Sequence, residues 1–222
     1  MTISVIITGA TGMVGEGVLL ECLADPRVGR VLLINRKPAG VKHPKLNEVV
    51  HADFSDLSAI QPRLAGHDAC FFCLGVSSLG MSEADYTRVT KDLTLNFGRT
   101  LARLNPDMTF CYVTGQSTDS TEHGKSMWAR IKGATENELL RLFPRGVMFR
   151  PAMMRATPGQ RNLKGWYRAL AWIYPMGRAL YPSGFCTLQE VARAMINAAV
   201  AGSPGRVLEV RDIVALAAMP PG

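Results

Sequence analysis

Three glycines spaced three apart stand in the segment Thr8-Gly9-Ala10-Thr11-Gly12-Met13-Val14-Gly15. The run ahead of it, Ile3-Ser4-Val5-Ile6-Ile7, is short, apolar and β-branched, and the residues after it carry apolar side chains near helical spacing. In a strand–turn–helix of this kind each glycine has a separate task. Gly9 permits the tight turn, Gly12 lets the backbone approach a pyrophosphate without a Cβ in the way, and Gly15 lets the helix lie close to the strand. The N–H groups of the Thr11-Gly12-Met13-Val14 stretch then face the phosphates, aided by the helix dipole. The ligand this arrangement suits is a dinucleotide; its structural alternative is a plain turn in another α/β fold. The end of the second strand, Val31–Ile34, bears on which dinucleotide. An acid there would bond the ribose hydroxyls and repel a 2′-phosphate. The sequence has Asn35-Arg36-Lys37 instead. Arg36 can clamp a phosphate and stack on adenine, so NADP is expected, with NAD as the alternative. The bland reading leaves Arg36 and Lys37 pointing into water.

These residues need elements to hold them, and the chain supplies an alternation of strands and helices. Helices are expected at Gly12 to about Leu23, about Glu83 to Leu104 and about Ser126 to Phe143. Further strands are expected at Glu48–His51, Ala69–Leu74, Phe110–Val113 and Val147–Phe149. Continuous apolar strands separated by helices imply a parallel sheet covered on both faces, and right-handed crossovers make it doubly wound. The expected fold is therefore α/β, a doubly wound, mostly parallel Rossmann sheet of order 3-2-1-4-5-6, with perhaps one more strand, and a small C-terminal substrate lobe. Residues 1–155 form the dinucleotide-binding core. Residues 156–222 read as a helical extension and last strand of the same domain: a helix near Leu163–Tyr181, a capping box at Thr187-Leu188-Gln189-Glu190 opening a helix to about Ala201, and a strand at Val207–Val210.

Several of these stretches resemble the short-chain dehydrogenase/reductase superfamily, in particular its atypical, NAD(P)-binding epimerase-like and Tat-interacting-protein-like members. The resemblance covers about residues 1–155. It rests on the TGATGMVG loop, His51-Ala52-Asp53-Phe54, Leu74-Gly75, Thr114-Gly115-Gln116-Ser117 and Arg150-Pro151-Ala152. It implies that Asp53 and Phe54 border the adenine and that Leu74, Gly75 and Val76 line the adenosine ribose and pyrophosphate. Pro151 and Ala152 would flank the nicotinamide, and Tyr86, Val89 and Asp92 would lie on the helix bordering the fourth strand. The family's chemistry uses Tyr-x-x-x-Lys with an upstream Ser or Thr. The lysine lowers the tyrosine pKa and binds the nicotinamide ribose, and a spacing of four puts both on one helix face. The matching stretch here is Trp128-Ala129-Arg130-Ile131-Lys132, with Ser117 or Thr118 as the upstream hydroxyl. Lys132 is kept, but Trp128 holds the tyrosine position, and an indole N–H donates a hydrogen bond without releasing a proton.

Two functional readings follow. One is a reductase or epimerase-like enzyme whose acid has moved, to Tyr112, Tyr167, Tyr174, Tyr181, His123 or a water held by Ser117. The other is a cofactor-binding regulatory or scaffold protein. The chain of 222 residues, 47% hydrophobic and 19% charged, can bury a substantial core. No N-terminal stretch reads as a signal peptide, and five cysteines make no disulfide framework, which leads to the expectation of a reduced, cytoplasmic protein. Its net charge is +7, and Lys125–Arg178 holds eleven basic residues against Glu136 and Glu138, a local net of +9. That excess either attracts an anionic ligand or is a solvated face with scattered ion pairs. No metal site is expected. Cys70 and Cys73 sit three apart on a strand and so face opposite sides, and the four histidines lack ligand spacing. The absence of a Gly-x-Ser-x-Gly elbow argues against a serine hydrolase, and no nucleic-acid partner is expected because no reading motif accompanies the basic charge. A membrane span is not expected, although the aromatic and basic residues of 162–181 could lie on an anionic surface. The partner is a small-molecule substrate of unknown identity, and the assembly a monomer or homodimer.

Overall fold

The first strand, β1 (Ile3–Thr8), pairs in parallel with the second strand of the chain on one side and the fourth on the other, and the sheet grows outward from it on both sides. The structure is a computed structural model and describes residues 2–163 and 173–220. The remaining sheet strands are β2 (Val28–Asn35), β3 (Leu46–Val50), β4 (Ala69–Phe72), β5 (Thr109–Val113), β6 (Gly146–Arg150) and β9 (Val207–Glu209). Their order is β3-β2-β1-β4-β5-β6-β9, and every pairing is parallel. The expected Rossmann order is thus present with one further strand at the β6 edge.

Side-chain alternation divides the core into two layers. Val5, Ile7, Phe71, Cys111 and Phe149 face the layer of α1 (Met13–Ala24), α6 (Leu188–Ala201) and α7 (Val210–Ala217). Ile6, Cys70, Phe72, Phe110, Tyr112 and Met148 face the layer of α3 (Leu93–Leu104) and α4 (Met127–Leu142). Both faces being covered is why these strands read as unbroken apolar runs. Cys70 and Cys73 fall in opposite layers, and burial pushes the Cys73 thiol up to about 12.

The structure departs from the sequence expectations in three places. The helix expected as one piece from Glu83 is α2 (Glu83–Thr87), a π-turn over Arg88–Asp92, and α3. Nothing in hydrophobic spacing signals a π-turn, which inserts one residue without changing polarity. A second, two-stranded parallel sheet joins β7 (Met153–Arg155) to β8 (Phe185–Thr187); three-residue strands are too short to show a period. Val210 begins α7 and does not end the last strand. Glu209 and Asp212 form a capping box there, so local side-chain bonding starts a helix at the point where the apolar run suggested continued strand. Within the stretch expected as a helix over Leu163–Tyr181, the described residues include the helix α5 (Tyr174–Leu180); Lys164, Trp166, Tyr167, Arg168, Leu170 and Trp172 lie outside the described residues. The Thr187–Glu190 capping box stands as expected.

Much of the basic excess is paired. Arg130 meets Glu83, Arg141 meets Glu138, Arg150 meets Glu136 and Glu209, and Arg178 meets Glu190. Among the described residues no helix is long and apolar enough to cross a membrane.

Candidate functional site

The candidate residues converge at the C-terminal ends of β1, β2, β4, β5 and β6, where doubly wound sheets take their ligands. After Thr8 the chain turns sharply at Gly9, whose φ of +72° suits glycine. A Cβ on Gly9 would stand 2.8 Å from the Cys73 carbonyl carbon and oxygen, so β4 crosses directly beneath the turn. The loop then folds back on itself. A Cβ on Gly15 would overlap the Gly9 carbonyl and lie 2.8 Å from the Ala10 nitrogen. Gly15 is therefore needed to close the loop, where sequence reasoning assigned it to helix–strand packing. A Cβ on Gly12 would meet only the Gly9 oxygen, at 3.4 Å. The protein itself thus leaves that approach open, and Thr11 and Gly12 are both exposed. No side chain caps α1; its first hydrogen bond runs from the Glu16 N–H to the Gly12 carbonyl at 2.9 Å. The N–H groups of Met13, Val14 and Gly15 precede that bond, at the positive end of the helix dipole. This open, uncapped cradle fits an anionic phosphate, and when bound a nicotinamide dinucleotide would supply hydride chemistry at its far end.

Asn35 and Arg36 part company in the structure. Asn35 is buried: its Oδ1 accepts from the Ala10 N–H at 3.2 Å and its Nδ2 donates to Glu48 Oε1 at 3.0 Å. Its side chain braces the glycine loop from below, in place of the ligand contact expected from its position. Arg36 is exposed and lines a cavity of about 390 Å³ with Asp53, Phe54, Leu74 and Val76. Gly75, between the last two, has no protein atom near an added Cβ. Val89 and Asp92 complete the wall together with Arg88 and Asn96, which sequence reasoning missed. Asn96 Nδ2 donates to the carbonyls of both Phe54 and Ser55 at 2.9 Å, fixing the loop that carries Asp53. Asn96 stands one helical turn beyond Asp92, a signal that could have placed it on this face. Asn96→Ala is expected to weaken binding of NADPH and of adenosine 2′,5′-bisphosphate by the same factor, roughly 5-fold to 30-fold, since one or both of two bonds of about 1 kcal/mol each are at stake. Calorimetric titration of both ligands checks this; a loss confined to NADPH would show that Asn96 acts elsewhere.

At the other end of the site, Thr114-Gly115-Gln116-Ser117 leaves β5 in a pinned turn. The Gln116 N–H donates to the Pro151 carbonyl at 2.9 Å, and both the Thr118 N–H and its hydroxyl donate to Gly115 O. Gly115 has a φ of 149° and Ser117 one of 70°, a left-handed conformation unusual for serine. Thr118 is buried with its hydroxyl engaged, whereas Ser117 is exposed, so Ser117 is the hydroxyl presented at the surface of the turn. Pro151 and Ala152 face this turn from the end of β6.

Trp128 and Lys132 lie one turn apart on α4, with Lys132 Nζ 6.0 Å from the indole ring centre. The ammonium donates to the Thr114 carbonyl at 2.6 Å. Burial lowers the Lys132 pKa, and the negative charge of Glu136 opposes that shift. Glu136, one further turn along, is fully buried. It accepts from the Thr114 hydroxyl at 2.5 Å and from Arg150, whose guanidinium also reaches Ser120 and Glu209. Thr114 is thereby held at both its carbonyl and its hydroxyl. Sequence reasoning named Thr114 only within the Thr114–Ser117 stretch and Glu136 only as an acid among basic residues, and gave neither a role in the site, because each looks like an ordinary helix or strand-end residue.

The alternative acids fare poorly. Tyr112 points into the α3–α4 layer, and burial raises its pKa far above the ordinary tyrosine value. Tyr174 is buried on Phe185, with its hydroxyl accepting from Arg178 at 2.8 Å. His123 and Tyr181 are exposed, and Tyr167 lies outside the described residues. Among the described residues no group of three or more His, Cys, Asp or Glu is arranged to hold a metal.

Comparison with known proteins follows the same lines. No family model matches the chain. It is 30% identical over 168 residues to the protein fmp52, mitochondrial, of Aspergillus clavatus, covering 72% of this chain and 68% of that protein. It is 26% identical over 212 residues to the protein HTATIP2 of Rattus norvegicus, covering 92% of this chain and 84% of that one. Among solved structures, the Bordetella bronchiseptica enzyme WbmF in complex with NAD+ superposes with a TM-score of 0.66 at 17% identity, over 96% of this chain and 77% of that one. MoeE5 in complex with UDP-glucose and NAD gives a TM-score of 0.65 at 18% identity, over 97% and 81%. At these identities the structural likeness speaks for the fold. One expectation is corrected: the fmp52 relatives are mitochondrial proteins by name, which overturns the cytoplasmic assignment drawn from cysteine usage and the N-terminal sequence.

Proposed function

The chain belongs to the atypical short-chain dehydrogenase/reductase family that takes in the fmp52 and HTATIP2 proteins, and from that premise we propose that it binds NADP as a structural or redox-reporting ligand without the family's tyrosine-dependent hydride transfer. Binding is supported by the uncapped helix start behind Gly9, Gly12 and Gly15. The choice of NADP is supported by Arg36, exposed where a NAD-selective site would carry an acid. In this reading Asp53 and Phe54 border the adenine, Leu74, Gly75 and Val76 the ribose and pyrophosphate, and Pro151 and Ala152 the nicotinamide.

The observation that carries the non-catalytic half is Trp128 beside Lys132. The lysine keeps its place on the nicotinamide side but has no phenol within the described residues whose pKa it could lower. Its ammonium is instead bonded to the Thr114 carbonyl. A second reading, an NADPH-dependent reductase or epimerase-like enzyme, is favoured by one observation: Ser117 is exposed in a strained conformation in the same turn as Thr114, whose carbonyl accepts from Lys132. NADPH oxidation measured against a broad panel of aldehydes, ketones and nucleotide sugars separates the two. The expected result is tight NADPH binding with no turnover. Turnover that disappears in Lys132→Ala would sink the proposal and establish the second reading.

A further inference from the structure

Glu16 is 3% exposed, in the first turn of the helix behind the glycine loop, yet its carboxylate is not bonded within that helix. It accepts the backbone N–H of Arg161 at 3.0 Å and of Asn162 at 2.7 Å. Beside it, Gln160 Nε2 donates to the Met13 carbonyl at 2.6 Å, and Gln160 Oε1 accepts from the Thr157 N–H, also at 2.6 Å. Residues 157–162 are therefore strapped along the start of α1 by side chains buried in the contact. The strap fixes where Arg161 can reach. Its Nη2 donates to the Ala39 carbonyl at 3.1 Å, and its Nε stands 3.7 Å from Glu16. Ala39 belongs to the same exposed loop that begins at Arg36 and Lys37. The guanidinium thus bridges the glycine-loop helix and the loop after β2, the loop to which Arg36 also belongs.

We propose that Arg161 is a second specificity-determining cation, which together with Arg36 takes the 2′-phosphate of the dinucleotide. This rests on the NADP reading above. A guanidinium carries five N–H donors, and the Ala39 bond uses one of them. Of the nearby acids, Glu16 divides its charge between the Arg161 Nε and the strap backbone, Glu48 accepts from Asn35 and from the Ala39 N–H at 2.8 Å, and Asp53 accepts from the Ser55 N–H at 2.8 Å. Arg36 and Lys37 on the loop after β2 and Arg161 bonded to that loop at Ala39 gather three cations around one loop, which suits a dianion beside the cavity that Arg36 lines. Arg161 enters from a segment more than a hundred residues beyond the glycine loop, so no local motif marks it.

The test measures dissociation constants for NADPH, NADH and adenosine 2′,5′-bisphosphate with the wild-type protein, Arg161→Ala, Arg161→Gln and Arg36→Ala. The Arg161 side chain is 60% exposed and the strap is held by backbone and Gln160, so these variants are expected to fold, as thermal melting will verify. Both Arg161 variants are expected to weaken NADPH and the bisphosphate at least about 10-fold and to leave NADH unchanged. An equal loss for NADPH and NADH would overturn the inference, since Arg161 would then act on the shared pyrophosphate or on the fold. A selectivity drop in Arg36→Ala with none in the Arg161 variants would also overturn it while leaving the NADP reading intact. If none of the variants changes the NADPH-to-NADH ratio, the NADP reading itself fails.

Discussion

Glu136→Ala is expected to cost about 3–5 kcal/mol of stability, the largest effect of any single substitution near the site, because it takes from a buried guanidinium its buried carboxylate and leaves it the half-exposed Glu209 at 3.4 Å. Glu136 has no exposure and Arg150 is 8% exposed, so water cannot replace the lost carboxylate. The same change releases the Thr114 hydroxyl, whose carbonyl holds Lys132, and removes the negative charge that opposes the lowering of the Lys132 pKa. Urea denaturation gives the stability difference. Glu136→Gln, which keeps the shape and can still accept from Thr114, is expected to cost less than Glu136→Ala. Equal stability of wild type and Glu136→Ala would mean that the buried cluster contributes nothing to holding β5, β6 and α4 together.

Gly15→Ala is expected to abolish dinucleotide binding, with affinity falling at least about 100-fold, or about 2.7 kcal/mol. The added Cβ overlaps the Gly9 carbonyl, which is backbone and cannot swing aside as a side chain would. The loop must open, and the N–H groups at the start of α1 lose their common direction. Overpacking of this kind also costs about 1–3 kcal/mol of stability, so a fall in melting temperature should accompany the loss of binding. Gly12→Ala offers the contrast. Its Cβ meets the protein only at 3.4 Å, so the fold should tolerate it, and any loss of affinity would report on the space the pyrophosphate itself needs. Calorimetry on both variants separates a loop that cannot form from a loop that forms but is obstructed.

The sheet was legible because its strands are covered on both faces and so appear as apolar runs, each followed by a helix of the right period. The glycine loop was legible because backbone geometry restricts residue type: only glycine fits at Gly9 and Gly15. What escaped depended on contacts distant in sequence. Asn35 occupies a position associated with ligand recognition, yet its partners are Ala10 and Glu48, visible only once β1, β2 and β3 are side by side. Glu136 and Arg150 find each other across 14 residues, and Glu16 finds Arg161 across 145. Such pairings leave no periodic trace. The β7–β8 pair was missed for both reasons: it joins Met153–Arg155 to Phe185–Thr187, far along the chain, and each strand is too short for a pattern. Trp128 was the most informative single residue, because its chemistry differs from tyrosine whatever the surrounding geometry.

Titration of the wild-type protein with NADPH and NADH, followed by calorimetry and by nicotinamide fluorescence, addresses the binding claim most directly. NADPH is expected to bind at one site per chain, at least about 10-fold tighter than NADH, if Arg36 and Arg161 take the 2′-phosphate as proposed. Equal affinity for the two dinucleotides, or binding of neither, would contradict it.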